Sequence, residues 1–194
     1  MQRLIFLAVI SVILSSCGSS DKSSSGTEMK TADPHSFARP NEAVVRHLDL
    51  DLLVDFAARK LSGTATLSIE NINKGHELRL DSRDLHIDSV MLDDGSVTKW
   101  DMMPAAPFVG SELVIHIKPT TRKVKIAYST APEAAALQWL SPEQTAGGKK
   151  PFLFTQSQAI LARTWIPLQD SPGIRFTYNA KITCPPDLMA VMSA

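Results

Sequence analysis

Two glutamines, Gln156 and Gln158, stand two residues apart in "PFLFTQSQAI", at the end of an otherwise apolar line. A side-chain amide is costly to bury without a hydrogen-bond partner. Residues two apart on a strand point the same way, so a strand through this segment lets the pair line one wall. Each amide oxygen can accept from an N–H donor, an ammonium group included. The same spacing also suits glutamines that bond to neighbouring strands or to buried backbone. Other chemistry is sparse. His35, His47, His76, His86 and His116 are not paired at helical spacing and no HExxH occurs, so the chain contains no recognisable zinc site. His47, His86 and His116 fall in alternating segments and read as exposed strand histidines. There is no GxSxG, no glycine loop to cradle phosphate and no CxxC. Asp49 and Asp51 read as a wet strand face, and Asp93 and Asp94 as a turn. Cys184, in "ITCPPDL", has no neighbouring His and reads as a small buried residue rather than a nucleophile.

The elements that must position the glutamines have mostly a period of two. "VVRHLDLDLLVDF" places Leu48, Leu50, Leu52 and Val54 on one face and Asp49 and Asp51 on the other. "KLSGTATLSIENI" repeats the pattern, with Leu61, Gly63, Ala65, Leu67 and Ile69 together. The short link "DFAARK" predicts a hairpin between these two strands. "HELRLDSRDLHIDSVMLDDGSVTKW" predicts two more strands and a turn at Asp94-Gly95. "SELVIHIKP" and "RKVKIAYST" form another alternating pair, and "PFLFTQSQAI" and "IRFTYNAKITCP" flank a Pro- and Gly-containing turn region. No segment predicts a long amphipathic helix; "PEAAALQWLSPEQ" suits at most a helical turn, limited by Pro142. Many short strands separated by turn residues predict an all-β, sandwich-like domain. Trp100, Trp139 and Trp165 are assigned to packing.

At 194 residues and 44% apolar, the chain is long enough for one domain with a sizeable core. Its 20 basic and 20 acidic residues balance without a basic stripe, which argues against a nucleic-acid partner. The first residues are different in kind. "MQRLIFLAVISVILSSC" has an apolar run from Leu4 to Leu14, too short to span a bilayer and suited to a signal-peptide core. Its end, Leu14-Ser15-Ser16-Cys17, resembles the lipobox of bacterial lipoproteins. That resemblance implies cleavage before Cys17 and lipid on the Cys17 sulfur, a membrane anchor of several acyl chains. The expected organisation is a lipoprotein signal peptide over residues 1–16, a Ser/Gly-rich tether over 17–36 and a β domain over 37–194. The expected location is the bacterial cell envelope, toward the outer membrane because Gly18, not an Asp, follows Cys17. With Cys17 lipidated, Cys184 has no intramolecular disulfide partner.

From Ala136 on, "ALQWLSPEQTAGGKKPFLFTQSQAILARTWIPLQDSP" closely resembles the N-terminal domain of the M1-family zinc aminopeptidases of the leukotriene A4 hydrolase type. "FTYNAKITCPPDLMAVMSA" continues the match, and upstream "KLSGTATLSIE" and "LRLDSRDLHIDSV" resemble the family's early strands. The resemblance implies a saddle-shaped all-β domain that packs on a thermolysin-like catalytic domain of the same polypeptide. It implies that Gln158, with Gln156 and the backbone carbonyl of Ala159, anchors the free α-amine of a peptide substrate. "RTWIPLQDSP" resembles a family turn, in which Asp170 caps through backbone N–H groups and Arg163 packs or pairs nearby without catalysing. The family's Gly-x-Met-Glu-Asn motif, HExxH pair, downstream Glu ligand and transition-state Tyr are not in this sequence. Zinc is therefore expected only in a longer parent enzyme, this chain alone is expected to be inactive, and its β domain is expected to be incomplete at the C-terminal end. The alternative expectation is a non-enzymatic β-sandwich lipoprotein that binds or scaffolds at the envelope.

Overall fold

The computed structural model describes residues 33–193. The expected signal peptide, Cys17 and most of the tether lie outside the described residues. Ten strands form three sheets, and no α-helix occurs among the described residues. The first sheet carries the strand order β10-β1-β2-β7-β4, where β1 is Ala43–Asp55, β2 is Lys60–Asn71, β4 is His86–Leu92, β7 is Lys123–Ser129 and β10 is Thr177–Thr183. The second is β3-β6-β5, with β3 Glu77–Ser82, β5 Trp100–Met102 and β6 Ser111–His116. The third pairs β8 (Leu137–Leu140) with β9 (Phe152–Thr155). The sheets are open, and all neighbours are antiparallel except β1 and β10.

Alternation in sequence becomes burial here. Leu48, Leu50, Leu52 and Val54 of β1 are buried, and so are Leu61, Ala65, Leu67 and Ile69 of β2. Asp55 closes the turn between them, its Oδ1 accepting from the N–H of Ala57 and of Ala58, both at 2.9 Å. A bulge between Val45 and His47 resets the β1 register, so that Val44 and Val45 are both buried before the alternation resumes. The inner faces of the first two sheets, with Tyr128, Trp165, Ile166 and Leu168, make one continuous core. Each fully buried Leu or Ile in it contributes about 1.5–3 kcal/mol over an exposed one.

Three sequence expectations differ from the fold. The segment read as a possible helical turn is strand β8, because Leu137–Leu140 pairs residue for residue with Phe152–Thr155; the helical turn is 3-10 and starts only at Pro142. The alternating pair β6 and β7 belongs to different sheets. Pro119 and the turn closed by Thr121 N–H to the Lys118 carbonyl, at 2.9 Å, redirect the chain between them. Residues 33–36, read as the end of the tether, are hydrogen-bonded to the domain.

Candidate functional site

The site begins where β9 ends. Its strand pairing stops at Thr155, and the Gln156 N–H still bonds the Ala136 carbonyl at 2.9 Å. Gln156 and Gln158 thus lie beyond the strand, in the irregular link and turn that follow, and not on one strand face as the spacing suggested. Serine at 157 is the physical reason. Its Oγ accepts from Trp165 Nε1 at 3.0 Å and its carbonyl accepts from the Leu161 N–H at 2.9 Å, so the chain closes a turn instead of extending. Gln156, Gln158 and Ala159 are all exposed, so the two amides escape the desolvation cost that made them conspicuous. Gln156 Oε1 accepts from the Gln158 N–H at 3.2 Å, which leaves Gln156 partly a turn-former and Gln158 the freer of the two. The peptide bond joining Gln158 to Ala159 is cis.

Behind this exposed turn the loop is sewn into the core. Thr164 Oγ1 donates to the Leu161 carbonyl at 2.8 Å and accepts from the Ala136 N–H at 3.1 Å. Tyr128 Oη donates to the Trp165 carbonyl at 3.0 Å, and burial pushes its phenol well above the usual range. Gln169 is buried; its Oε1 accepts from the Val45 N–H and its Nε2 donates to the Ala43 carbonyl, both at 2.9 Å, which locks the loop to the start of β1.

Arg163 is fully buried and spends all its edges. Nε donates to Asp170 Oδ2 at 3.1 Å, Nη1 to the Val109 carbonyl at 2.8 Å, and Nη2 to the carbonyls of His35 and Asp170, each at 2.9 Å. Nη1 also lies 3.5 Å from Asp81 Oδ1. Asp170 accepts from the Arg163 N–H at 3.2 Å, which is the turn-capping role read from sequence, and it is also the ion partner. Burial pushes the Asp170 carboxyl above its usual value, with the Arg163 guanidinium and N–H pulling the other way. Asp81 completes the cluster and escaped the sequence reading. It sits 82 residues upstream of Arg163 on β3, in "LRLDS", where an acidic residue in an alternating run looks like a solvent-facing one.

The remaining candidates are dispersed. Cys184 is half-buried, its Sγ 3.5 Å from the Leu188 carbonyl. His86 and His116 are exposed and His47, read as exposed, is half-buried between β1 and β10; each lies beside an aspartate. Among the described residues no three His, Cys, Asp or Glu side chains converge as a metal site, so these residues do not fit zinc. A groove of about 420 Å³ opens beside the loop, lined by Leu52, Val54, Phe152, Phe154, Met189 and Val191 among others.

The β domain has counterparts among known proteins. The peptidase M1 N-terminal domain family matches residues 44–193. The chain belongs to that family. The leukotriene A-4 hydrolase of Xenopus laevis is 37% identical over 169 residues, covering 84% of this chain and 28% of that protein. A leucine aminopeptidase 2 of Sclerotinia sclerotiorum is 32% identical, over 81% of this chain and 27% of that protein. Among solved structures, the leukotriene A4 hydrolase of yeast in complex with bestatin superposes with a TM-score of 0.76 at 33% identity, over 82% of this chain and 26% of that one. An M1 zinc metallopeptidase from Deinococcus radiodurans shares the fold at a TM-score of 0.59 and 19% identity, over 76% of this chain and 34% of that one. The chain thus spans under a third of the length of the Xenopus and Sclerotinia proteins.

Proposed function

We propose that this chain is the substrate-anchoring N-terminal part of a lipid-anchored zinc aminopeptidase. The observation that carries the reading is the exposed Gln158, held on a hydrogen-bonded turn in a chain of the M1 N-terminal family. The Gln158 amide oxygen accepts a hydrogen bond from the α-ammonium of a peptide, and the Ala159 carbonyl supplies a further acceptor. Gln156 shapes the turn through its bond to the Gln158 N–H and faces the same solvent. The relatives are named as hydrolase and aminopeptidase, and the Deinococcus structure is described as a zinc enzyme bound to a Tyr-Ser-Ala substrate. Zinc and the groups that activate water belong to a catalytic domain outside this sequence, and this chain alone releases no amino acid from a peptide. Lipid on Cys17 would tether the assembly to the bacterial cell envelope, on the outer-membrane side.

The test uses the full-length gene product with an aminoacyl chromogenic substrate. Losing a hydrogen bond to a charged amine costs about 1.5–3 kcal/mol, so Gln158→Ala should lower kcat/KM roughly 10- to 100-fold. Unchanged kcat/KM would remove the anchoring role. Absence of any peptidase activity in the wild-type protein would remove the aminopeptidase reading itself. Anchoring is checked separately: Cys17→Ala should move the protein from the membrane fraction to the soluble one.

A further inference from the structure

Residues 33–37 lie across the deep end of the loop that carries Gln158. Asp33 Oδ2 accepts from Ser171 Oγ at 2.7 Å. The His35 carbonyl accepts from Arg163 Nη2 at 2.9 Å. Ser36 Oγ donates to Asp81 Oδ2 at 2.6 Å, and the Phe37 N–H donates to Asp81 Oδ1 at 2.7 Å. Asp81 accepts one more hydrogen bond, from the Asp170 N–H at 2.8 Å. Two of its three hydrogen bonds therefore come from residues 36 and 37.

Position makes these bonds more than a surface contact. Asp81 and Arg163 are both fully buried. When residues 33–37 leave, a carboxylate and a guanidinium that are buried in their presence lose these hydrogen bonds. The loop from residue 156 to 171 is thereby fastened at two ends by different means. Its near end is held by Trp165 Nε1 donating to Ser157 Oγ and by Thr164 Oγ1, which donates to the Leu161 carbonyl and accepts from the N–H of Ala136, just before β8. Its far end is held by backbone bonds, from the Asp81 N–H to the Leu168 carbonyl at 2.7 Å and from the Arg83 N–H to the Arg163 carbonyl at 3.0 Å, and by the Asp81 carboxylate, which takes two of its three hydrogen bonds from the strap.

We propose that residues 33–37 are a strap that locks the Gln158 loop through Asp81 and Arg163, with Ser36 as its principal positioning residue. The firmness of the glutamine turn is thereby coupled to the strap's bonds to Asp81 and Arg163. Its consequence for substrate rests on the amine-anchoring reading above; the strap itself does not.

Amide hydrogen exchange on the full chain tests it. Ser36→Ala should speed exchange of the Leu168 and Asp170 amides, which donate to Asp81, about tenfold, while β2 and β7 amides keep their rates. Ser36→Thr, which retains the hydroxyl, should restore the slow rates. Asp33→Ala, at a half-exposed position, should give a smaller increase confined to the same loop and serves if Ser36→Ala fails to fold. Unchanged loop rates in these variants, or acceleration spread equally over β2 and β7, would overturn the strap. In the full-length protein, Ser36→Ala should raise KM for an aminoacyl substrate with kcat retained. A fast-exchanging loop with unchanged KM would overturn only the coupling to substrate, and the exchange result would stand even if Gln158 proved to have no role.

Discussion

At the scale of single residues, Arg163 and Gln158 divide the labour of one loop. Arg163 is buried and fully bonded within the fold, whereas Gln158 is exposed and its side chain makes no hydrogen bond to the described residues. Only a planar guanidinium offers five donors in the fork that two carboxylates and three carbonyls require here. Arg163→Ala leaves Asp81 and Asp170 uncompensated and should cost about 3–5 kcal/mol, read as a lower midpoint in urea unfolding. Gln158→Ala should shift the same midpoint by no more than about 0.5 kcal/mol. The acid side of the cluster gives a pH signature. Burial raises the Asp170 carboxyl above the ordinary 3.8, so the protonated form is favoured in the fold. Its favourable contribution is thus fully present below the unfolded value and is lost as pH rises through the higher folded value. Asp170→Asn removes that titration. The stability of the wild type relative to Asp170→Asn should fall as pH rises from below 3.8, in paired urea titrations. A difference that stays flat with pH would show that Arg163 balances the burial.

At the scale of elements, the long β1–β2 hairpin is the frame on which the loop is hung. Gly63 is its tightest point. It has φ +148°, and a Cβ there would meet the Asp51 carbonyl oxygen at 2.0 Å. Gly63→Ala should therefore cost about 3 kcal/mol, or roughly 6–12 °C in Tm by calorimetry. This hairpin was readable because its burial follows a period of two over a dozen residues, a signal local to the chain. The Asp94-Gly95 turn was readable for the same reason: Gly95, at φ +80°, donates its N–H to the Leu92 carbonyl at 3.0 Å. What was not readable depends on distant partners. β8 looked helical until β9, more than ten residues on, supplied its pairing. β6 and β7 alternate alike, yet alternation does not say which sheet a strand joins. The glutamine segment was singled out through its sequence resemblance, but its geometry was misjudged, because the bond that ends the strand comes from Trp165, eight residues beyond Ser157. Asp81 shows the limit most plainly: its partners lie 44 to 89 residues away, beyond the reach of any local period.

At the scale of the whole molecule, the described residues carry apolar surface that their own fold does not cover. Phe152 and Phe154 project from β9 with ring centroids 6.1 Å apart, both exposed. Met189 and Val191 are more than four-fifths exposed and line the same groove, with Leu52 and Val54 at its floor. Beside it, β10 has only β1 as a strand neighbour, so one side of its backbone is without a strand partner among the described residues. Open edges and contiguous apolar patches favour association. The chain should therefore self-associate at micromolar concentration, seen as a sedimentation coefficient that rises with loading. Phe152→Ser combined with Met189→Ser should shift the distribution toward monomer while leaving Tm within about 2 °C, because both side chains are exposed and little packing is lost. If the double variant associates as before, the groove is not the sticky surface, and the free side of β10 becomes the element to block. A lysine placed at Ala180, an exposed position near the middle of that strand, would then be the discriminating change.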